Sequence, residues 1–220
     1  NRFMTPALSC VIQGMTGAVC PCLDVNGACA GFVYALEMAD AYLARGNYQN
    51  ILIVCAEEPT RMVDWTNRAT CVLFGDAAAA CVVTSGGEDT LFRMHTASNV
   101  DVLHSYNTAG NCPYDKSGRT YEPLSMNGQE VYKFAVSSAT EDIRALCKAA
   151  GLDVNEIDHF VLHQANLRIL EAVRTRLHQP PEKFPHNLEH YGNTSSASVP
   201  LLLDELNRAG RLTRGERIAM

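Results

Sequence analysis

Apolar runs of strand length alternate along this chain with segments of helical period, which confines the fold to the α/β class with a largely parallel sheet. Residues 50–56 and 77–84 read as core strands, and residues 22–26 as a shorter strand ending at Gly27. Residues 5–14 read as a helix, residues 29–45 as a long buried helix closed by Gly46, and residues 128–150 as another that stops at Gly151. Asp153 or Asn155 can cap the turn that follows. A strand over 157–162 runs directly into His163 and a helix at about 165–177. Beyond the loop at 180–185, a polar run at 191–198 leads into a helix over 199–209, and 217–220 reads as a further strand. Between residues 86 and 123, Gly, Asn, Asp and Ser accumulate, the composition of surface turns. The two halves, 1–125 and 126–220, thus repeat one theme of strand, polar turn and helix, with no residue-level repeat.

Composition narrows the function classes. With 47% hydrophobic residues in 220, a packed core is within reach. A net charge of -6 and a pI near 5.6 argue against a nucleic-acid surface, which needs a dense basic face. No apolar run approaches the roughly 20 residues of a membrane-spanning helix, and nothing resembles a signal peptide, so the cytoplasm is expected. Nine cysteines, scattered through strand-like segments, fit free thiols in a reducing compartment. Cys20 and Cys22 have no partner pair at zinc-ligand spacing, so no metal is expected. The chain opens on Asn1 and stops inside a strand-like segment at Met220, as a piece of a longer protein would.

Three residues stand where chemistry is done. Cys29 lies in Asn26-Gly27-Ala28-Cys29-Ala30-Gly31, where small residues permit a tight turn between strand and helix. A thiol at a helix N-terminus has its thiolate stabilised by the dipole and by free N–H groups, which lowers its pKa and also offers an oxyanion site. Taken alone, Cys29 reads more readily as a buried structural thiol. His163 ends an apolar strand, at the position that faces the ligand crevice in open α/β sheets, although a capping or core histidine has the same pattern. Asn193, in Gly192-Asn193-Thr194-Ser195-Ser196-Ala197-Ser198, reads in isolation as a turn and N-cap. Asn166 likewise reads as a helix cap.

Taken together, the strings Asp24-Val25-Asn26-Gly27-Ala28-Cys29-Ala30-Gly31-Phe32, His163-Gln164-Ala165-Asn166 and Gly192 to Ser198 resemble β-ketoacyl-acyl-carrier-protein synthase III, in that family's order. The resemblance runs through nearly the whole chain. It implies the thiolase-like fold, two similar halves in alternating α and β layers (αβαβα), with Cys29 in the half 1–125 and His163 and Asn193 in the half 126–220. Elongating ketosynthases carry a second His where Asn193 stands, and hydroxymethylglutaryl-coenzyme A synthases pair their Cys and His with a Glu. Chalcone-type synthases share Cys, His and Asn, but their His segment differs from 163–166. The family also has a strand and helix region before this chain's start and a Gly-rich strand beyond its end, so both termini of the fold are expected to be incomplete here.

The function implied is initiation of fatty-acid synthesis. An acyl-coenzyme A primer loads Cys29, and the enolate from decarboxylating malonyl-acyl carrier protein attacks it. No cofactor is implied; acyl-CoA and the acyl carrier protein are the substrates, and a homodimer is expected. By the same resemblance Arg68 contacts the coenzyme A nucleotide, Asn166 orients the His–Asn pair, and Phe74 and Tyr132 lie near the thioester or acyl pocket. Arg168, with Lys133, Arg174 and Arg176, forms a positive patch for the acidic carrier protein, and Met4 matches a residue that reaches the partner's acyl pocket. Plain surface charge or core packing is the alternative for each of these. The rival functions are a related starter-unit or secondary-metabolite acyltransferase and an inactive partner subunit.

Overall fold

A computed structural model describes residues 5–86, 92, 101–105 and 122–220. In chain order it contains helices α1 (Leu8–Thr16) and α2 (Gly31–Ala44), strands β1 (Asn50–Glu57) and β2 (Ala77–Thr84), and the two-residue strands β3 (Leu103–His104) and β4 (Ser125–Met126). Helix α3 (Gly128–Ala149), strand β5 (His159–Phe160), helices α4 (Leu167–Leu177), α5 (Leu188–Tyr191) and α6 (Ser198–Arg208), and strand β6 (Ile218–Ala219) complete it. Met4 and most of the expected turn region lie outside the described residues.

β1 and β2 pair antiparallel along their whole length, from Asn50 opposite Thr84 to Glu57 opposite Ala77. Side chains alternate across a strand, so Ile51, Ile53 and Cys55 share one face with Ala77, Cys81 and Val83. Helix α2 offers that face the stripe of Phe32 and Ala39, seven residues apart and therefore aligned. Helix α6 adds Val199, Leu202 and Leu206, and Val161 and Ala197 close the cluster. Residues from both ends of the chain thus share one core, which seats the start of α2 against the start of α6. On the opposite face of the pair Leu52, Val54 and Val82 are exposed.

A second core lies between α3 and α4. Ile143 and Cys147 of α3 meet Leu170, Val173 and Leu177 of α4, with Phe160 stacked on Phe184 at a ring separation of 4.5 Å. Burying a side chain of this size contributes about 1.5–3 kcal/mol. The ends of both helices are specified locally. Asn127 accepts from the Glu130 amide at the start of α3, Asn166 accepts from the Arg168 amide at the start of α4, and Gly151 takes φ 69 just past α3. Asp153 and Glu156 form a reciprocal capping box on the turn that follows.

Several sequence expectations change. The expected parallel sheet holds for β5 with β6 but not for β1 with β2, because apolar alternation fixes which face is buried and not which way the next strand runs. Residues 22–26 form no ladder among the described residues, and a strand exists only with a neighbour. Asp24 in that segment caps α1 instead, accepting from the Leu8 and Ser9 amides at 2.8 Å each. The run 157–162 contributes only His159–Phe160 to a ladder, and the helix expected from residue 29 begins as a 3-10 turn, Ala28–Ala30, before α2.

Candidate active site

Cys29 sits in the 3-10 turn Ala28–Ala30 that feeds the N-terminus of α2. Ala28 holds φ 45, a left-handed conformation that a residue with a Cβ adopts only when its surroundings enforce it. The small flanking residues have steric reasons to be there. A Cβ on Gly27 would lie 2.6 Å from the Tyr34 ring, and one on Gly31 would lie 3.3 Å from the Ser196 Cβ. Bareness at Gly31 lets the turn Ser195–Ala197 settle directly on the Cys29 turn.

Asn193 is placed by its backbone. Its N–H donates to the Leu73 carbonyl at 2.8 Å, and its own carbonyl accepts from the Gly75 N–H at 3.0 Å, forming a parallel bridge with Phe74. Gly192, at φ 66 and ψ -157, occupies a region open essentially to glycine alone. Gly75 is needed for close approach, since a Cβ there would stand 1.9 Å from the Tyr191 carbonyl oxygen. Gly75→Ala is therefore expected to break the bridge and to destabilise the chain by at least about 1–3 kcal/mol, the usual cost of overpacking. Urea unfolding checks it, and an unchanged midpoint would remove Gly75 from the site's support. The Asn193 side chain is oriented as well: Oδ1 accepts from the Ser195 N–H at 2.9 Å, which leaves the Nδ2 donors without a hydrogen-bond acceptor among the described residues.

His163 follows the buried run Phe160-Val161-Leu162. Its Nδ1 lies 2.7 Å from the Ser198 Oγ, and that oxygen also accepts from the Gln164 N–H at 3.2 Å. Gln164 is wholly buried and braces the corner, donating to the Leu162 carbonyl at 2.8 Å and accepting from the Asn187 N–H at 3.3 Å. Part of the residue's surface stays open, yet burial of the ring pulls the His163 pKa down to about 4, so the imidazole is uncharged at neutral pH.

One segment joins the three candidates. Asn193 opens it, the Ser195 side chain lies within reach of the Cys29 thiol, and Ser198 hydrogen-bonds His163. Between them Ser196 donates a short hydrogen bond to Glu57 at the end of β1. Ser195, Ser196, Ser198 and Glu57 were not singled out from sequence; a run of small polar residues reads as a surface turn until its burial is known.

The expected lowered thiol pKa of Cys29 is overturned. Burial pushes the thiol above its ordinary value, the Glu57 carboxylate pushes the same way, and the hydrogen bond from Ser195 opposes them. The helix terminus acts on a thiol that has largely lost its water. Alkylation requires the thiolate, so a raised pKa means fewer reactive molecules at neutral pH. The iodoacetamide rate at Cys29, followed by peptide mass spectrometry, is expected to climb about tenfold per pH unit through the neutral range, and Glu57→Gln to move the curve to lower pH. A plateau already reached at neutral pH would overturn this.

The remaining candidates divide. Phe74 abuts Asn193 through the bridge. The Asn166 side-chain oxygen is engaged as the α4 cap, accepting from the Arg168 N–H at 2.8 Å. Arg68 is exposed on the loop after β1, and Tyr132 is exposed on α3. Lys133 is paired with Glu130 at 2.7 Å, and Arg174 with Glu171 at 2.7 Å and the Gln179 carbonyl at 3.0 Å. Arg168 and Arg176 stand exposed on the first and last turns of α4. No helix is long and apolar enough to cross a membrane, and no cluster of three metal-ligating side chains occurs, among the described residues.

Comparison with known proteins shows the family. Residues 23–100 match the family model described as 3-oxoacyl-[acyl-carrier-protein (ACP)] synthase III, and residues 147–220 match that of its C-terminal part. The chain is 39% identical to the β-ketoacyl-[acyl-carrier-protein] synthase III of Clostridium acetobutylicum, over 98% of its own length and 68% of that protein's. Against the synthase III of Xanthomonas campestris pv. campestris it is 40% identical, over 98% and 67%. The crystal structure of 3-oxoacyl-[acyl-carrier-protein] synthase III from Aquifex aeolicus VF5 superposes with a TM-score of 0.86 at 35% identity, over 98% of this chain and 68% of that one.

Proposed function

The chain belongs to the 3-oxoacyl-[acyl-carrier-protein] synthase III family, and we propose that it works through Cys29 as nucleophile with His163 and Asn193 as hydrogen-bond donors. Its fold is the α/β, thiolase-like fold of these condensing enzymes, and its function is the acyl transfer that initiates fatty-acid synthesis. In the first half-reaction the Cys29 sulfur attacks the carbonyl of an acyl-CoA; the C–S bond to coenzyme A breaks, and the thiol proton leaves with coenzyme A. In the second, malonyl-acyl carrier protein loses carbon dioxide, and the electron pair is left as a thioester enolate. That enolate needs donors at its oxygen rather than a base, which suits an uncharged His163 and the free Nδ2 of Asn193. Its carbon then attacks acyl-Cys29, releasing the β-ketoacyl product and the Cys29 thiolate, which takes a proton from water to restore the thiol.

The single observation carrying this assignment is the segment Asn193 to Ser198, whose side chains touch Cys29 at one end and His163 at the other. The half 1–125 supplies the nucleophile and the half 126–220 supplies the donors. Phe74 and Tyr132 lie toward the thioester and acyl chain and Arg68 toward the coenzyme A nucleotide, and Asn166 orients the His163–Asn193 pair. The carrier protein docks on the basic face of α4. Because Lys133 and Arg174 are already paired, Arg168 and Arg176 carry most of that attraction. The reaction draws its driving force from the substrates' own thioesters and carboxylate, without a cofactor, and the working form is a cytoplasmic homodimer. Incubation with acetyl-CoA and malonyl-acyl carrier protein tests the reading directly. Formation of β-ketoacyl-acyl carrier protein is expected, and absence of any carbon–carbon bond formation with any primer, despite a loaded Cys29, would sink it.

A further inference from the structure

We propose that Ser198 is a positioning residue that holds His163 in its Nε2–H tautomer, so that the ring meets the substrate as a hydrogen-bond donor. The proposal rests on the role given to His163 above and concerns how that role is enforced.

Proton accounting at Ser198 decides the tautomer. Ser198 is 1% exposed, and its hydroxyl has one hydrogen and two lone pairs. One lone pair receives the Gln164 N–H at 3.2 Å, and that direction is unambiguous because a backbone amide only donates. The other contact is to His163 Nδ1 at 2.7 Å. If Nδ1 carried the ring proton, Oγ would accept twice, and its own hydrogen would be sealed in the interior without an acceptor among the described residues. If Nδ1 is bare, Oγ–H donates to it and every group is satisfied. Buried polar groups strongly favour the second arrangement. Burial also keeps the ring uncharged at neutral pH, so one proton is available and it stands on Nε2.

The arrangement is rigid from behind. Ser198 is the first residue of α6, and Gln164, the source of the orienting N–H, is fixed by the Leu162 carbonyl and the Asn187 N–H. Asn187 is tied to α6 in turn, donating to Glu205 at 2.8 Å. An Nε2–H ring with Nδ1 already engaged is a poor base and a ready donor. Serine therefore selects between two chemistries that the bare histidine could perform.

Nitrogen-15 NMR of the histidine-labelled chain, with the resonance assigned by His163→Gln, is expected to place the proton on Nε2 at neutral pH. Ser198→Ala should release that preference, lower condensation by about tenfold to hundredfold, the range seen when the partner that orients a metal-bound histidine is lost, and leave loading of Cys29 by acetyl-CoA near wild type. Ser198→Thr, which keeps the hydroxyl, should restore most of the loss. A wild-type ring protonated on Nδ1 would overturn the proposal, as would equal losses of loading and condensation in Ser198→Ala, or none. Should Ser198→Ala not fold, the wild-type spectrum still decides. Were the wild type to make no β-ketoacyl product, the assigned reaction would fall while the tautomer was read independently.

Discussion

Cys29→Ala is expected to abolish the mass increase that an acyl-CoA leaves on the chain and to lower β-ketoacyl formation by about 10⁴-fold or more, to background. The effect is this large because both half-reactions pass through the same sulfur, and no neighbouring group can replace it. Ser195, a hydroxyl beside the thiol, is a much weaker nucleophile at neutral pH, and the carboxylate of Glu57 would lose any acyl group to water as an anhydride. The substitution should cost little in folding, since it removes one partly buried thiol and one hydrogen bond, on the order of 1 kcal/mol. Thermal unfolding of the variant separates lost chemistry from lost structure. Cys20→Ala, at an exposed thiol on the segment before the site, serves as the comparison and should load normally. An acyl adduct that persists in Cys29→Ala would move the nucleophile elsewhere in the chain and end the present assignment.

What the residues disclosed, and what they withheld, follows from where the determining contacts lie. β1 and β2 were legible because their alternation is a local property, and α2 and α3 were legible because Gly46 and Gly151 mark their ends. The segment 22–26 was misjudged because a strand is a relation with a neighbour rather than a property of five residues. The antiparallel sense of β1 and β2 depends on the path of the intervening chain, which carries no periodic signal. At the site, Cys29, His163 and Asn193 were visible as short strings, but what unites them was not. Ser195 and Ser198 look like any turn serines, and Glu57 looks like the polar end of a strand. The direction of the Cys29 pKa was misread for a related reason: a helix terminus can be inferred from sequence, whereas the burial and the carboxylate that outweigh it are three-dimensional facts.

His163→Ala and Asn193→Ala are expected to divide the two half-reactions: each should lower condensation by about 10²–10³-fold, the usual cost of losing one donor to a developing oxyanion, while loading of Cys29 stays within about tenfold. The division follows from charge development. Loading places negative charge on the acyl carbonyl oxygen beside the Cys29 turn, where the Ala30 and Gly31 N–H groups are taken by the Gly27 and Ala28 carbonyls and the Cys29 N–H has no backbone acceptor among the described residues. Decarboxylation places it on the thioester oxygen of the second substrate, where the two side-chain donors act. The sharper test is Asn193→Asp, which preserves shape and the acceptor for the Ser195 N–H but replaces the free Nδ2 with a second oxygen. A carboxylate there repels the enolate instead of binding it, so Asn193→Asp should condense more slowly than Asn193→Ala even though it conserves more of the wild-type packing. Single-turnover measurement of loading by mass spectrometry, set beside decarboxylation of malonyl-acyl carrier protein, reads both steps. Condensation by Asn193→Asp at or above the rate of Asn193→Ala would show that Nδ2 donates nothing to the enolate. Equal losses of loading and condensation in the two alanine variants would place both residues in the loading step instead.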